Sequence, residues 1–366
     1  MKSRAAVVKT PSSRFSIDEV ELGALRDDEI LVKIAGVGVC HTDLICRDQV
    51  YPVPFPIVLG HEGSGFVEAV GSSVKHLKKG DAVVLSFRSC GKCINCDRDE
   101  PSHCIDIFPS NFSGVRSDGS TSLSQNGEPV HGLFFGQSSF AEYAIAHVSN
   151  TVKVSEDAAA FLEILGPLGC GIMTGAGAVM NSLKPSTDSS LIIFGCGSVG
   201  IAAIMAAKVE GCKTIIAVDP LAERREIAQE LGATHSIDPS QQDPVALCHE
   251  ITTYGADYAL ECTGLPAVFR QSVDALAVNG TCGLIGAAPL ETEVALDMNS
   301  IMFGRTVKGI IEGDSIPQQF IPELIELYQQ GKFPLDKLIT TYPLNEIETA
   351  ISDMVEGRAL KPVLIP

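Results

Sequence analysis

Four cysteines crowd the stretch "CGKCINCDRDEPSHC": Cys90, Cys93, Cys96 and Cys104. Two-residue gaps let successive thiolates turn toward one centre, and a fourth completes the tetrahedron that zinc favours. Four thiolates leave no open position, so this cluster predicts a structural zinc and places the reaction elsewhere. The stretch "GVCHTD" sets Cys40 beside His41. Neighbours on a strand project to opposite faces, which disfavours a Cys–His catalytic pair. Cys40, His61 in "GHEG" and Cys170 in "LGCG" lie far apart in the chain. Singly, each is compatible with core packing. Together they offer two thiolates and an imidazole, a ligand set that suits a catalytic zinc with an open fourth position. Glu62 and Asp43 are candidates to orient His61 and tune the metal.

A second centre of chemistry is "SLIIFGCGSVGIAAIMAAKVEGCKTIIAVDP". An apolar strand runs into Gly195, Gly197 and Gly200, followed by a helix and a second strand ending at Asp219. The glycines permit a tight turn, close backbone approach to a pyrophosphate, and helix–sheet packing. The helix start at Ser198 and Val199 supplies amide donors to phosphate. Asp219 stands where a carboxylate holds the adenosine ribose hydroxyls and repels a 2′-phosphate, which favours NAD over NADP. Arg224 and Arg225 nearby leave NADP open.

The elements that must carry these groups fall into two textures. Residues 1–171 hold short apolar runs ("AAVV", "EILVKIAGVGV", "GFVEAVG", "DAVVLSF", "FAEYAIA") between turns, a β-rich domain. The prolines of "YPVPFPIVLGHEG" make that stretch an extended connection and not a central strand. Residues 172–311 alternate apolar strands with Ala-rich helices: "SVGIAAIMAAKVEG", "LAERREIAQELG" and "AVFRQSVDALAVNG" are the expected helices. That alternation signifies an α/β fold with a doubly wound parallel sheet. Residues 312–366 predict a helix over "IPQQFIPELIELYQQG", then a strand and a helix.

The chain has 366 residues, which favours more than one domain, and a net charge of −18, which disfavours nucleic acid or an anionic membrane as partner. No apolar run reaches the length of a membrane span. Twelve cysteines with no export-type region at the start fit metal binding in a reducing, cytoplasmic setting.

"GVCHTD", "GHEGSGFVEAVG", "CGKCINC…C", "GPLGCG" and "GCGSVG…VD" occur in the order and approximate spacing of the zinc-dependent medium-chain alcohol dehydrogenases. The resemblance spans essentially the whole chain. It implies a GroES-like catalytic domain, an inserted Rossmann domain and a C-terminal return to the catalytic domain. It also implies two zinc ions per subunit: a catalytic ion on Cys40, His61 and Cys170, and a structural one on Cys90, Cys93, Cys96 and Cys104. Thr42 would stand at the alcohol-binding hydroxyl position. Asp219 and Arg224 would meet the adenosine side of NAD, and His41 and Lys361 its pyrophosphate. In many relatives a His ends the proton relay where this chain has Ile45, so His41 becomes the candidate for proton exit. A homodimer or homotetramer built partly through Rossmann sheet edges is implied as well.

By the same resemblance Phe87, Phe134, Phe135 and Ile285 fall at substrate-pocket positions. Aromatic walls suit a flat benzyl-type alcohol, and the texture is most similar to the aryl (benzyl) alcohol dehydrogenases. Glutathione-dependent formaldehyde dehydrogenases share "CHTD" but anchor a charged substrate with a basic side chain where this chain has Phe108. Polyol dehydrogenases typically lack a Cys at the position of Cys170. A zinc-stabilised NAD-binding regulator without turnover would explain the Cys90–Cys104 cluster but leave the other three ligands without a purpose.

Overall fold

The computed structural model describes residues Met1–Pro366, which fold into two compact units. The first comprises Met1–Cys170, Ile316–Glu326 and Asp336–Pro366, and the second Gly171–Ser315 and Leu327–Leu335. The first junction thus lies one residue before the expected boundary at 171/172, and the second four residues after that at 311/312. The return segment is also divided, because the end of helix Pro317–Gln329 and the turn after it cluster with the second unit.

The first unit is built on the strand Glu29–Gly38, whose sequence EILVKIAGVG is mostly buried apart from an exposed Lys33. It pairs antiparallel with Glu62–Val70 on one side, and Tyr143–His147 and Lys361–Ile365 also pair with it antiparallel. Lys361–Ile365 continues in parallel to Ile339–Pro343, so the last strand of the chain closes onto one of the first. A second sheet runs in the order Ile57–Val58, Lys2–Val8, Ser16–Leu22, Leu123–Gln125, Glu128–Val130. The proline-rich stretch contributes only its two-residue edge strand, as missing N–H donors dictate.

"HTDLICR" departs from its expectation. His41–Arg47 is a helix, and Cys40 is its N-cap rather than a strand residue. Three polar residues followed by three apolar ones, over so short a stretch, do not separate strand from helix. Asp43 decides for the helix by accepting a hydrogen bond from the Cys40 N–H at 3.0 Å.

The second unit is a six-stranded parallel sheet in the order His235–Ile237, Thr214–Val218, Ser190–Phe194, Ala256–Glu261, Leu276–Leu284, Thr306–Gly309. Numbered along the chain this is 3-2-1-4-5-6, the Rossmann order, with its switch point beside the glycine turn after Phe194. Apolar strand residues such as Ile192, Phe194, Ile216 and Leu276 pack with Cys248 and Cys282 into one buried core. "AVFRQSVDALAVNG" is a helix only through Asp274, and its second half starts the strand Leu276–Leu284. The helix Pro244–Thr252, capped by Asp243, was not anticipated.

A buried ion pair locks the start of the central strand. Arg116 donates to both oxygens of Glu29 at 2.6 and 2.8 Å and to the carbonyls of Thr121 and Ala24. Replacing Arg116 with Met leaves the buried Glu29 charge with only the Arg26 N–H to meet it, at an expected cost of about 3–5 kcal/mol in urea unfolding of the first unit. A loss below about 1 kcal/mol would show that Glu29 does not depend on this partner.

Candidate functional site: a Cys–His–Cys centre and a glycine turn

The strand Glu29–Gly38 delivers the chain to Cys40, and Glu62–Val70 begins next to His61. One carboxylate ties the two stretches together. Asp43, fully buried, accepts from the N–H of Cys40 and of Gly60, each at 3.0 Å, and from His61 Nδ1 at 2.9 Å. A carboxylate at Nδ1 holds a proton there, which leaves Nε2 as the ring atom that could meet a metal. That Nε2 is buried and has no hydrogen-bond partner. A buried polar atom without a partner is costly unless something else occupies its lone pair.

The third member arrives on a short helical turn, Gly166–Gly169. A Cβ on Gly169 would lie 1.9 Å from the Leu85 carbonyl, and Ser86 Oγ donates to the Gly169 carbonyl at 2.7 Å. This close approach presses the turn onto the strand Ala82–Leu85 and sets Cys170 in place. The donor atoms of Cys40, His61, Glu62 and Cys170 all lie within 4.8 Å of one another. A hydrogen bond from Cys170 holds the Cys40 thiol well below its ordinary pKa, against the opposing effect of burial. Two thiols, one already disposed to be a thiolate, and an imidazole with an unspent lone pair fit zinc.

Glu62 extends the centre to a residue that the sequence analysis assigned elsewhere. Lys361 Nζ donates to both Glu62 oxygens at 2.9 Å and to the Val39 carbonyl at 3.2 Å. Its three protons meet these three acceptors and it is only 2% exposed. The cause is strand pairing: Val363 opposite Gly38 carries Lys361 to Val39. Burial pushes the Glu62 carboxyl up and Lys361 pulls it back. Burial also disfavours the Lys361 ammonium, but Glu62 more than restores it.

The aromatic residues divide. Phe135 stacks on the His61 ring (centroids 4.4 Å apart, 29°), and Phe134 meets it edge-on at 5.4 Å. Phe112 packs against both, Phe108 stacks on Phe112, and Tyr51 touches Phe108 and Phe112. Phe87 is buried but makes no ring contact with this group. Ile285 belongs to the second unit, where its N–H bonds the Glu261 carbonyl. Phe112 and Tyr51 were missed; Phe108 and Phe112, four apart on one helix, were the available signal. Leu133, Phe135 and Ser138 have positive φ values of 64°, 52° and 51°, a cost of about 1–3 kcal/mol each. Asn150 and Gln137 hold this turn, Gln137 by donating to the His61 carbonyl at 2.8 Å.

Thr42 is half-buried and His41 exposed at the start of the Cys40-capped helix, while Ile45 is buried and carries no proton. The four-cysteine loop brings Cys90, Cys93, Cys96 and Cys104 within 4.8 Å of one another. Amide donors from Cys96 and Ile105 lower Cys93 to about 6, and burial pushes Cys104 up to about 12. No disulfide forms among the twelve thiols.

In the second unit Gly195 has φ +92°, and a Cβ on Gly200 would lie 1.9 Å from the Gly195 carbonyl. A Cβ on Gly197 would meet nothing within 4 Å, which leaves a cradle beside the uncapped start of helix Ser198–Val209. Asp219 braces the turn: its carboxylate accepts from the N–H of Cys196 at 2.8 Å and of Leu221 at 2.9 Å. Arg224 Nε is buried without a partner while its Nη1 stands 3.8 Å from Asp219. Arg225 is spent on the Asp219 carbonyl and Asp238. An open cradle, a helix start and an unspent guanidinium N–H fit a dinucleotide.

Residues 26–156 match the alcohol dehydrogenase GroES-like domain, and residues 198–330 the zinc-binding dehydrogenase family. The chain is 46% identical over 368 residues to a geraniol dehydrogenase of Castellaniella defragrans, covering 100% of this chain and 98% of that one. Among solved structures, it is similar to benzyl alcohol dehydrogenase from Acinetobacter calcoaceticus (TM-score 0.96, 48% identity, 100% and 99% covered). It is also similar to an alcohol dehydrogenase zinc-binding domain protein from Burkholderia ambifaria (TM-score 0.98, 51% identity, 100% and 99% covered).

The glycines separate fold from binding. Gly200→Ala should lower unfolding stability by about 1–3 kcal/mol through overpacking. Gly197→Ala should stay within about 1 kcal/mol of wild type yet weaken NADH binding at least about tenfold, read by fluorescence titration. Equal NADH affinity in Gly197→Ala would remove the dinucleotide from this cradle.

Proposed function

The chain belongs to the zinc-dependent medium-chain alcohol dehydrogenases, and from that premise we propose that it oxidises a primary benzyl-type alcohol to the aldehyde, with NAD as hydride acceptor. The observation that carries the substrate class is the aromatic group built on His61, in which Phe134 and Phe135 flank the imidazole. Cys40, His61 and Cys170 would hold a catalytic zinc, and the Cys90–Cys104 loop a structural one. When bound, the zinc lowers the pKa of the alcohol and the nicotinamide takes the hydride. The chain's own residues do the rest. Asp43 keeps the His61 proton on Nδ1, so that Nε2 remains a ligand. The Thr42 hydroxyl accepts the alcohol proton, and His41 at the exposed helix start receives it, since Ile45 has no acceptor. The aromatic faces orient a planar substrate and exclude water. Asp219 and Arg224 hold the adenosine ribose and favour NAD. Twelve free thiols suit a reducing, cytoplasmic setting.

A second reading has its own support: one relative is named geraniol dehydrogenase. Geraniol and benzyl alcohol both place the carbinol next to an sp² carbon, which an aromatic wall accommodates. Ranking benzyl alcohol, geraniol, ethanol and a polyol by kcat/KM decides. Apolar burial at about 25 cal/mol per Å² makes a phenyl ring worth a few kcal/mol over ethanol, so benzyl alcohol should lead by about 100-fold or more. A lead for geraniol would move the assignment to allylic terpenoid alcohols, and a lead for ethanol would overturn the aromatic pocket. Cys170→Ser should abolish turnover while NADH titration stays near wild type.

We propose self-association through the second unit. The strand Thr306–Gly309 is an exposed sheet edge paired only to Leu276–Leu284, and Val278, Met302 and Phe303 nearby are exposed too. A second copy of the same edge completes its hydrogen bonds about a two-fold axis. Sedimentation of wild type should give an even-numbered oligomer, and Val307→Pro should yield smaller species. A wild-type monomer would refute it.

A further inference from the structure

Phe135 is placed by resemblance at a substrate-pocket position, yet its ring lies over a would-be metal ligand. The His61 and Phe135 centroids are 4.4 Å apart with the planes 29° from parallel, and Phe135 is only 6% exposed. The contact rests on a left-handed backbone at Phe135 (φ 52°, ψ 31°), which a non-glycine residue adopts only when its surroundings impose it. They do so here. Asn150 Nδ2 donates to the Phe135 carbonyl at 3.0 Å, and Ser138 Oγ accepts from the Phe134 N–H at 2.9 Å while donating to Val58. Gln137 of the same turn donates to the His61 carbonyl at 2.8 Å. One turn therefore grips residue 61 at its backbone through Gln137 and at its ring through Phe135. Asp43 fixes the ring at a single atom, Nδ1, about which the imidazole plane can still rock. The stacked face removes that freedom.

We propose that Phe135 is a positioning residue for His61: it sets the imidazole plane that aims Nε2 at the metal and screens that bond from water. The inference rests on the reading of Cys40, His61 and Cys170 as a zinc site, and it assigns Phe135 a role toward the metal besides that of a pocket wall. The same strained turn thus serves ligand geometry as well as the aromatic group around it, in which Phe134 is fully buried against His61, Phe112 and Phe135.

The test follows metal rather than turnover. Wild type, Phe135→Leu, Phe135→Met, Phe135→Tyr and Cys170→Ser are loaded with zinc or cobalt(II), metals per chain are counted, and release to a chelator is timed. The Leu and Met variants keep an apolar buried side chain without a planar face; the Tyr variant keeps the face. Expected are two metals in wild type and one in Cys170→Ser. The metal missing from Cys170→Ser should leave the Leu and Met variants about tenfold faster or more, with altered cobalt absorption, while the four-cysteine metal leaves at its wild-type rate and Phe135→Tyr behaves as wild type. The four-cysteine metal also reports folding, and Met replaces Leu if Leu disturbs it. Two metals released at wild-type rates with unaltered cobalt absorption, even if KM for alcohols shifts, would overturn the role of Phe135. Equal metal content in wild type and Cys170→Ser would instead overturn the zinc site itself.

Discussion

A single carboxylate organises the first unit's chemistry. Asp43 accepts from two backbone amides and one imidazole, and those donors belong to residues 40, 60 and 61. Without it, Cys40 has no cap to turn it out of the strand, and His61 has no preferred tautomer. With it, helix start, strand start and ligand geometry become one decision. Gly60 must share in this: its φ is +86°, and a Cβ there would lie 2.6 Å from Phe140. The site is therefore assembled from backbone as much as from side chains, and its accuracy is inherited from the sheet beneath it.

What was legible in the sequence follows from how local the physics is. The four cysteines are read within fifteen residues because their geometry is set by their own loop. The glycine turn is equally local, and Gly195, Gly200 and Asp219 occupy the turn, the tight helix packing and the strand end that their spacing predicts. Asp43 beside His61 was also anticipated. Lys361 was not: its partner Glu62 lies 299 residues away, and nothing in either neighbourhood announces a buried ion pair. Phe87 and Phe135 show a related limit. Both were expected around one pocket, yet one is separated from the aromatic group and the other stacks on His61, because ring contacts depend on a strained turn that composition does not reveal. The helix at His41–Arg47 was misjudged since one carboxylate, not periodicity, decides it.

The two units use buried charge differently. In the first, Glu29–Arg116 and Glu62–Lys361 are closed pairs whose worth lies in specificity more than in net stability, because desolvation offsets much of their attraction. In the second, Asp219 carries its charge against backbone amides and keeps Arg224 only at 3.8 Å, so a guanidinium N–H remains unspent next to the cradle. Closed pairs define a scaffold, and unspent donors define where a ligand is received.

The Glu62–Lys361 pair also imposes an order in time. On a ribosome moving at about 5–20 residues per second, the ammonium follows its carboxylate by roughly 15–60 s. Through that interval the strand Glu62–Val70 can pair with Glu29–Gly38, but the acid at its start has no countercharge and must stay hydrated or protonated. Complete burial therefore waits for the final strand. The Cys40–His61–Cys170 centre becomes fully dry only after Lys361 has been made, so nascent chains that stop short of it hold an incomplete version of that centre.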